Sequence, residues 1–337
     1  MLHLICRQRQ VLTQQLEPSS ESVADADPPS TKPKVERKRK SMKLISFTVN
    51  STPNAATRVG ALINNTVVDF TAALPYHSML SFLQGGDQAT RQAKQLIASG
   101  KYRQPLHSCT LKAPITNPEK ILCVGMNYKE HCIEQDMPIP TEPLIFSKFA
   151  STITHPNAPI RFDSRLTQKM DWEVEMCIVI GKEVPRNTRE ADAMPYVAGY
   201  TVAHDVSARD WQMEKNGGQW LLGKSMDTFS PIGPCITTTE EMGDKIYNTG
   251  VRCFVNGNLV QDSNTNQLVF AAPQLIAWIS KFITMKPGDL IFTGTPSGVG
   301  AFRNPPVWLK HGDVVKVEID GLGSVTNTCM DASASKL

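Results

Sequence analysis

The sequence has no run of 18 or more apolar residues, which excludes a membrane-spanning helix. It also has no CxxC pair. Its eight cysteines, at positions 6, 109, 123, 132, 177, 235, 253 and 329, are scattered, and several fall inside apolar, strand-like runs. They read as reduced, buried thiols of an intracellular protein. An excess of charge of one sign is missing from the body of the chain. The net charge is +3, but residues 1–41 hold eight Lys/Arg and five Asp/Glu, so 27 residues of each sign remain beyond them. A neutral body argues against a nucleic-acid partner. There is no GK[ST] phosphate loop, no internal repeat and no regular βαβ alternation, so nucleotide binding and a doubly wound parallel sheet are not expected.

Apolar residues make up 41% of the chain, enough for a sizeable core in one large domain or two ordinary ones. Residues 17–41, EPSSESVADADPPSTKPKVERKRKS, are charged and rich in Pro and Ser, and are expected to be a disordered linker. Before them, MLHLICRQRQVLTQQL carries Arg7 and Arg9, no acid, and an apolar helical face, which suits a short mitochondrial presequence; the alternative is a cytoplasmic protein. Order is expected from Met42. MKLISFTV and RVGALI-NN-TVVDF read as strands, the second pair a hairpin turning at Asn64-Asn65. Asp87 is expected to cap a helix over QATRQAKQLIAS that ends at Gly100. Residues 42–114 thus form a small N-terminal α+β module. From 115 to 332 strand-like segments dominate, which predicts a β-rich α+β fold with mainly antiparallel or mixed sheets.

What the sequence does hold is a concentration of acid in an apolar strand. In MDWEVEMCIVIG, period-two alternation puts Glu173, Glu175, Cys177 and Val179 on one face and Val174, Met176, Ile178 and Ile180 on the other. Two carboxylates that close repel, and burying either alone costs several kcal/mol or forces it to neutralise. A divalent cation between them resolves the conflict, and Asp205, at the end of the apolar run YTVAHD, supplies a third oxygen ligand. A site of carboxylates selects Mg²⁺ or Mn²⁺ over Ca²⁺ and zinc. The competing reading makes Glu173 and Glu175 solvent-facing edge residues paired with lysines. His131 and Glu134 share one face of a helical turn, where the carboxylate fixes the imidazole tautomer and makes a general base. DLIFTGTPSGVG is a strand entering a glycine-rich loop; Thr295 lies in it, and the pattern suits a carboxylate cradle. Lys224, Arg209 and Gln212 come after Asp205 and would clamp a dianion or an enolate, the alternative being ordinary ion pairs with Asp227 and Asp210.

In order along the chain, Val124 to Tyr128 with His131 and Glu134, Glu173-Val174-Glu175, Asp205 with Ala208-Arg209-Asp210, Lys224-Ser225, and Thr293 to Gly300 resemble the motifs of the fumarylacetoacetate hydrolase superfamily over about residues 117–330. QWLLGKSMDTF, GNLVQDSNTNQLVF, LIAWIS and FRNPPVWLKHGD are similar to its domain-containing protein 2 subgroup. The resemblance implies a fumarylacetoacetase C-terminal-like mixed β-roll, usually a homodimer. It implies Mg²⁺ or Mn²⁺ on Glu173, Glu175 and Asp205. Catalysis would rest on His131, Glu134 and Lys224, with His131 and Glu134 on a lid. Tyr128, Lys148, Arg209, Gln212 and Thr295 would bind a small 2-oxo acid. The subgroup looks like mitochondrial tautomerases that take enol-oxaloacetate to the keto form through an enolate held beside the ion. C–C bond hydrolysis of acylpyruvate-type diketo acids and decarboxylation of oxaloacetate share these motifs, and the residues alone leave the choice open.

Overall fold

The computed structural model describes residues 42–52 and 54–334. The expected presequence and linker therefore lie outside the described residues. The N-terminal segment folds as expected: β1 (Lys43–Val49) pairs antiparallel with β2 (Arg58–Ile63), which turns at Asn64 into β3 (Thr66–Asp69). Asn64 adopts φ +54°, the left-handed conformation a tight hairpin turn requires and Asn tolerates. Two helices come next, α1 (Met79–Gln84) and α2 (Gly86–Ser99). The expected role of Asp87 needs correction. Gly85 ends α1 and is itself the N-cap of α2, so Asp87 falls in the first turn. There it faces the positive end of the helix and pairs with Lys182 at 2.9 Å. Gly100 ends α2 in the left-handed conformation, as expected.

This N-terminal segment shares its sheet with the C-terminal strands. After β4 (Arg103–Pro105), β5 (Cys109–Lys112), β6 (Ile121–Gly125) and β7 (Leu144–Lys148), the strands join one twelve-stranded mixed sheet. Its main path runs β4-β3-β2-β1, then Ser230–Thr238, Val197–His204, Val174–Ile180, Leu290–Phe292, β6 and β7. A five-stranded sheet is built from Asn258–Asn264, Gly250–Val255, Val314–Ile319, Gly323–Asp331 and Ile160–Phe162. Strand outweighs helix and most pairings are antiparallel, in agreement with the β-rich expectation.

The Val174–Ile180 strand is central, with neighbours hydrogen-bonded on both edges, and all seven residues are buried. Its alternation divides two cores. Val174, Met176, Ile178 and Ile180 pack on the face of the five-stranded sheet with Val251, Val317 and Val325. Cys177 and Val179 pack with Phe82, Ala93 and Ile97 of α1 and α2. The two-faced strand therefore fixes the direction of Glu173 and Glu175 through packing on either side of them. Cys123, Cys132, Cys177, Cys235, Cys253 and Cys329 are buried free thiols, and Cys109 is half-buried.

One close approach is decisive for the sheet. Gly199 lies in the Val197–His204 strand, and a Cβ there would stand 2.2 Å from the carbonyl oxygen of Thr237 on the neighbouring strand. Gly199→Ala must push these two central strands apart. We expect it to lower the unfolding free energy by about 2–4 kcal/mol, in the upper range for overpacking. A urea titration gives this directly, and a midpoint unchanged from wild type would contradict it.

Candidate active site

Four elements deliver the polar residues to one place. Asp171 and Glu173 enter from the segment leading into the Val174–Ile180 strand, and Glu175 lies within that strand. Asp205 comes directly after the last residue of the Val197–His204 strand, where its N–H donates to the Glu173 carbonyl at 2.9 Å. Antiparallel pairing of these strands, with Val174 opposite His204, therefore carries Asp205 to the acidic pair. Lys224 ends a short helix, Leu221–Lys224. Gly223 permits its close docking: a Cβ there would meet Gln212 N at 2.5 Å. One oxygen of each of Glu173, Glu175 and Asp205 lies within 4.8 Å of the others, and all three residues are buried. The solvent-facing alternative for Glu173 and Glu175 is thereby excluded.

The cations come next. Glu173 meets Arg209 Nη2 at 2.7 Å through one oxygen and Lys224 Nζ at 2.7 Å through the other. Lys224 Nζ also reaches Asp205 Oδ2 at 3.0 Å, and Lys148 pairs with Asp205 Oδ1. Arg209 Nε donates to Asp171 Oδ2 at 2.8 Å and Arg209 Nη1 to Gln212 Oε1 at 2.8 Å. The alternative partners of Lys224 and Arg209, Asp227 and Asp210, are thus not the ones they take. Three buried acids, Asp171, Glu173 and Asp205, face three buried cations. Burial pushes the Glu173 carboxyl up, but Lys224 and Arg209 outweigh it and hold it down to about 2.

Glu175 is the acid left over. Its Oε2 accepts from the Gly294 N–H at 2.7 Å, and no ion pair reaches it among the described residues. Burial, with Asp205 and Glu173 beside it, pushes its carboxyl well above the usual range. An uncompensated buried carboxyl next to two others, with oxygens converging, fits a hard divalent cation. Glu173, Glu175 and Asp205 would hold such an ion with Glu175 ionised, and the cluster would then carry a net positive charge, which suits an anionic substrate.

The imidazole dyad forms as expected, on α3 (Lys129–Glu134). His131 Nδ1 lies 2.8 Å from Glu134 Oε2, and the other Glu134 oxygen accepts from the Gly298 N–H at 2.8 Å. With Nδ1–H donating to Glu134, His131 Nε2 presents its lone pair, which accepts from Gln135 Nε2 at 2.7 Å. The glycine-rich loop, expected to cradle a ligand's carboxylate, instead holds carboxylates of the protein itself. Gly294 serves Glu175, Gly298 serves Glu134, and Gly300 donates to Asp171 at 2.6 Å. Thr295 donates to the Val174 carbonyl at 3.0 Å and accepts from Gln261 at 2.8 Å.

A cavity of 280 Å³ opens onto this cluster. His131, Glu173, Glu175, Arg209, Gln212, Lys224 and Thr295 line it, together with Met126, Phe146, Trp220 and Phe302. Asp205, Glu134, Lys148 and Tyr128 lie behind the wall. Lys148 is spent on Asp205 and on the Val206 carbonyl at 3.2 Å, and Tyr128 is fully buried with its hydroxyl unpartnered by protein. Sequence reasoning missed Asp171, which grips Arg209 and the N–H groups of Gly300 and Ala301. The signal was in the strand itself, since Asp171 extends the Glu173, Glu175 alternation by one more step.

Comparison with known proteins places this constellation. The family model described as fumarylacetoacetate hydrolase C-terminal matches residues 120–330. The chain belongs to the fumarylacetoacetate hydrolase family. It is 52% identical over 290 residues to the protein named mitochondrial oxaloacetate tautomerase fahd2 of Xenopus laevis, covering 85% of this chain and 90% of that one. It is 50% identical over 268 residues to mitochondrial oxaloacetate tautomerase FAHD2A of Homo sapiens, covering 80% and 83%. Among solved structures, fumarylacetoacetate hydrolase EaFAH from Exiguobacterium antarcticum matches with a TM-score of 0.72 at 31% identity, over 86% of this chain and 100% of that one. The family resemblance read from the ordered motifs is thereby established.

The raised Glu175 carboxyl has a measurable consequence. Its folded pKa lies above the unfolded value, so above about pH 4.5 the unfolded chain releases a proton that the folded, metal-free chain retains. Stability of the chelator-treated protein should therefore fall as pH rises from 4.5, by up to about 1.4 kcal/mol per unit from this group. Binding of Mg²⁺ or Mn²⁺ should release protons from Glu175, seen by calorimetry in buffers of different ionisation enthalpy. Glu175→Gln should abolish both effects; proton-neutral metal binding by the wild type would contradict the assignment.

Proposed function

We propose that the protein is a metal-dependent tautomerase that converts enol-oxaloacetate to the keto form. The observation that carries this is the convergence of a buried acidic triad, two ion-paired cations and an imidazole–carboxylate dyad at one cavity. The names borne by relatives at about half identity over most of the chain support the choice of reaction.

Glu173, Glu175 and Asp205 would hold Mg²⁺ or Mn²⁺, and that ion supplies Lewis acidity toward the oxygens of a 2-oxo acid. Arg209 and Lys224 offset the negative charge that develops when the enol proton leaves, and both are buried side chains, where fixed charges count for more than in water. Gln212 and Thr295 orient the substrate; both line the cavity. His131 would move the proton: its Nε2, once released by Gln135, would serve the reacting carbon, while Glu134 holds Nδ1–H and stabilises the imidazolium. Gly298 in turn fixes Glu134. Lys148 and Tyr128, placed behind the wall, brace Asp205 and the floor of the site in this reading and do not touch substrate.

Other features belong with it. The names of the relatives and the arginine-bearing, acid-free first sixteen residues support a mitochondrial location. The exposed side chains of Ile133, Met137, Ile139, Leu144, Ile145 and Phe149 support a homodimer that covers them.

The test is the loss of enol absorbance after addition of enol-oxaloacetate. We expect wild-type protein with Mg²⁺ or Mn²⁺ to exceed the rate in metal-containing buffer, chelator to remove the excess, and His131→Ala to lower kcat by about 10²–10⁴-fold. Pyruvate, assayed in parallel, should not accumulate. Pyruvate release from oxaloacetate or from acetylpyruvate at a rate above enol loss would reassign the protein as a decarboxylase or a C–C hydrolase.

A further inference from the structure

Part of the cavity wall carries no cation. The cavity's fixed cations, Arg209 and Lys224, both belong to the acidic cluster, and a substrate with a carboxylate at each end must turn both ends toward them. The remaining wall carries three rings, Phe146, Trp220 and Phe302, beside Val124, Met126, Met213 and Gln135. The rings of Phe146 and Trp220 meet edge to face with centroids 5.2 Å apart. The indole lies over Gly125, where an added Cβ would stand 2.9 Å from Trp220 Cζ3. Lys224 Nζ sits 5.2 Å from the Phe146 centroid, so this wall begins where the charged cluster ends. Phe302 adds a third ring, 6.0 Å from the His131 imidazole and inclined to it by 67°. An apolar surface beside an anion-binding centre is a place for an uncharged group on the same molecule.

We infer that the site also accepts 2-oxo acid enols bearing an aryl group on C3, and that Trp220 is the residue that receives this group. The inference rests on the proposed tautomerase reading and extends its substrate class from dianions to monoanions with an apolar substituent. The reaction keeps its balance. The enol O–H gives up its proton, the C2–O bond becomes a carbonyl, and the C2–C3 double-bond pair takes a proton at C3. No oxidant, reductant or second substrate is needed. The 2-oxo acid end keeps the place that oxaloacetate uses, and the aryl ring lies against the indole and Phe146.

Trp220 is suited to this as a side chain whose loss leaves the fold standing. It is only half-buried, and it stands outside the three hydrophobic clusters. It comes after a strap in which Asn216, Gly217 and Gly218 all take positive φ, of 54°, 62° and 74°, with open space around both glycines. The backbone carbonyl of Trp220, which accepts from the Lys224 N–H at 3.1 Å, survives any substitution. The small Gly125 is the counterpart: a Cβ there would crowd both the indole and Leu144 Cδ2, each at 2.9 Å.

The probe is enol-phenylpyruvate, followed by loss of enol absorbance in parallel with enol-oxaloacetate. Wild-type protein should accelerate ketonisation of both. Trp220→Ala should lower the ratio of kcat/KM for phenylpyruvate to that for oxaloacetate at least tenfold, mainly through KM. Trp220→Phe should restore part of the ratio, and Gly125→Ala should lower it as Trp220→Ala does. Wild-type activity on oxaloacetate with none on phenylpyruvate overturns the inference and leaves the tautomerase reading intact. Equal losses on both substrates in Trp220→Ala overturn the assignment to Trp220. Activity on neither substrate in metal-loaded wild type, with folding verified by circular dichroism, overturns the reading and the inference together.

Discussion

Four buried carboxylates and three buried cations crowd together at one end of the cavity, and the rest of the structure is arranged to make that tolerable. An isolated buried charge costs several kcal/mol after relaxation, and removing one partner of a buried pair costs about 3–5 kcal/mol. Such a cluster contributes little net stability. It persists because the two cores on either side of the Val174–Ile180 strand hold its members in place. Asp171, Glu173 and Asp205 are matched by Lys148, Arg209 and Lys224. Glu175 is unmatched, and this asymmetry is the feature with chemical consequence. A fully compensated cluster would be structural. One excess buried carboxyl, converging with two others, leaves a place for a divalent ion.

The glycine-rich loop plays a different part from the phosphate and substrate cradles that such loops often form. Its N–H groups at Gly294, Gly298 and Gly300 each donate to a carboxylate of the protein, on Glu175, Glu134 and Asp171 respectively. One loop thereby ties the candidate metal ligands, the imidazole dyad and the support of Arg209 to a common backbone. Positive φ at Gly294 and Gly298, 92° and 100°, and the close approach of Gly298 to the Val260 carbonyl explain why these positions carry glycine. The preorganisation that electrostatic catalysis requires is thus built from main chain, which does not reorient as charge moves.

Much of this was legible because it repeats with the period of a strand. Alternation alone assigned Glu173 and Glu175 to one face, and the apolar residues between them told that the strand is buried on both sides. The hairpin at Asn64 and the helix end at Gly100 were legible because each needs a left-handed residue that few side chains supply. What escaped was pairing across distance. Nothing near Lys148 in the chain points to Asp205, and nothing near Arg209 distinguishes Asp171 from the adjacent Asp210. Asp87 lies two residues past the true cap because Gly85 ends one helix and starts the next, a junction that leaves no periodic mark. Tyr128 stood within a recognised motif and Lys148 was implied by the family resemblance, yet burial, which motifs do not encode, puts both behind the wall.

The division of the cavity stems from the same constraint. Every cation near the triad is already engaged by a buried carboxylate, so none remains to line the rest of the wall. That wall must then be closed by side chains that carry no charge of their own, because a further ion there would have no partner. Phe146 and Trp220 meet the requirement, and Phe146 also covers Lys224 where it would otherwise meet water. A site whose cations are all held at the triad recognises charged groups of its substrate there. An apolar group at the other end it can recognise only by shape.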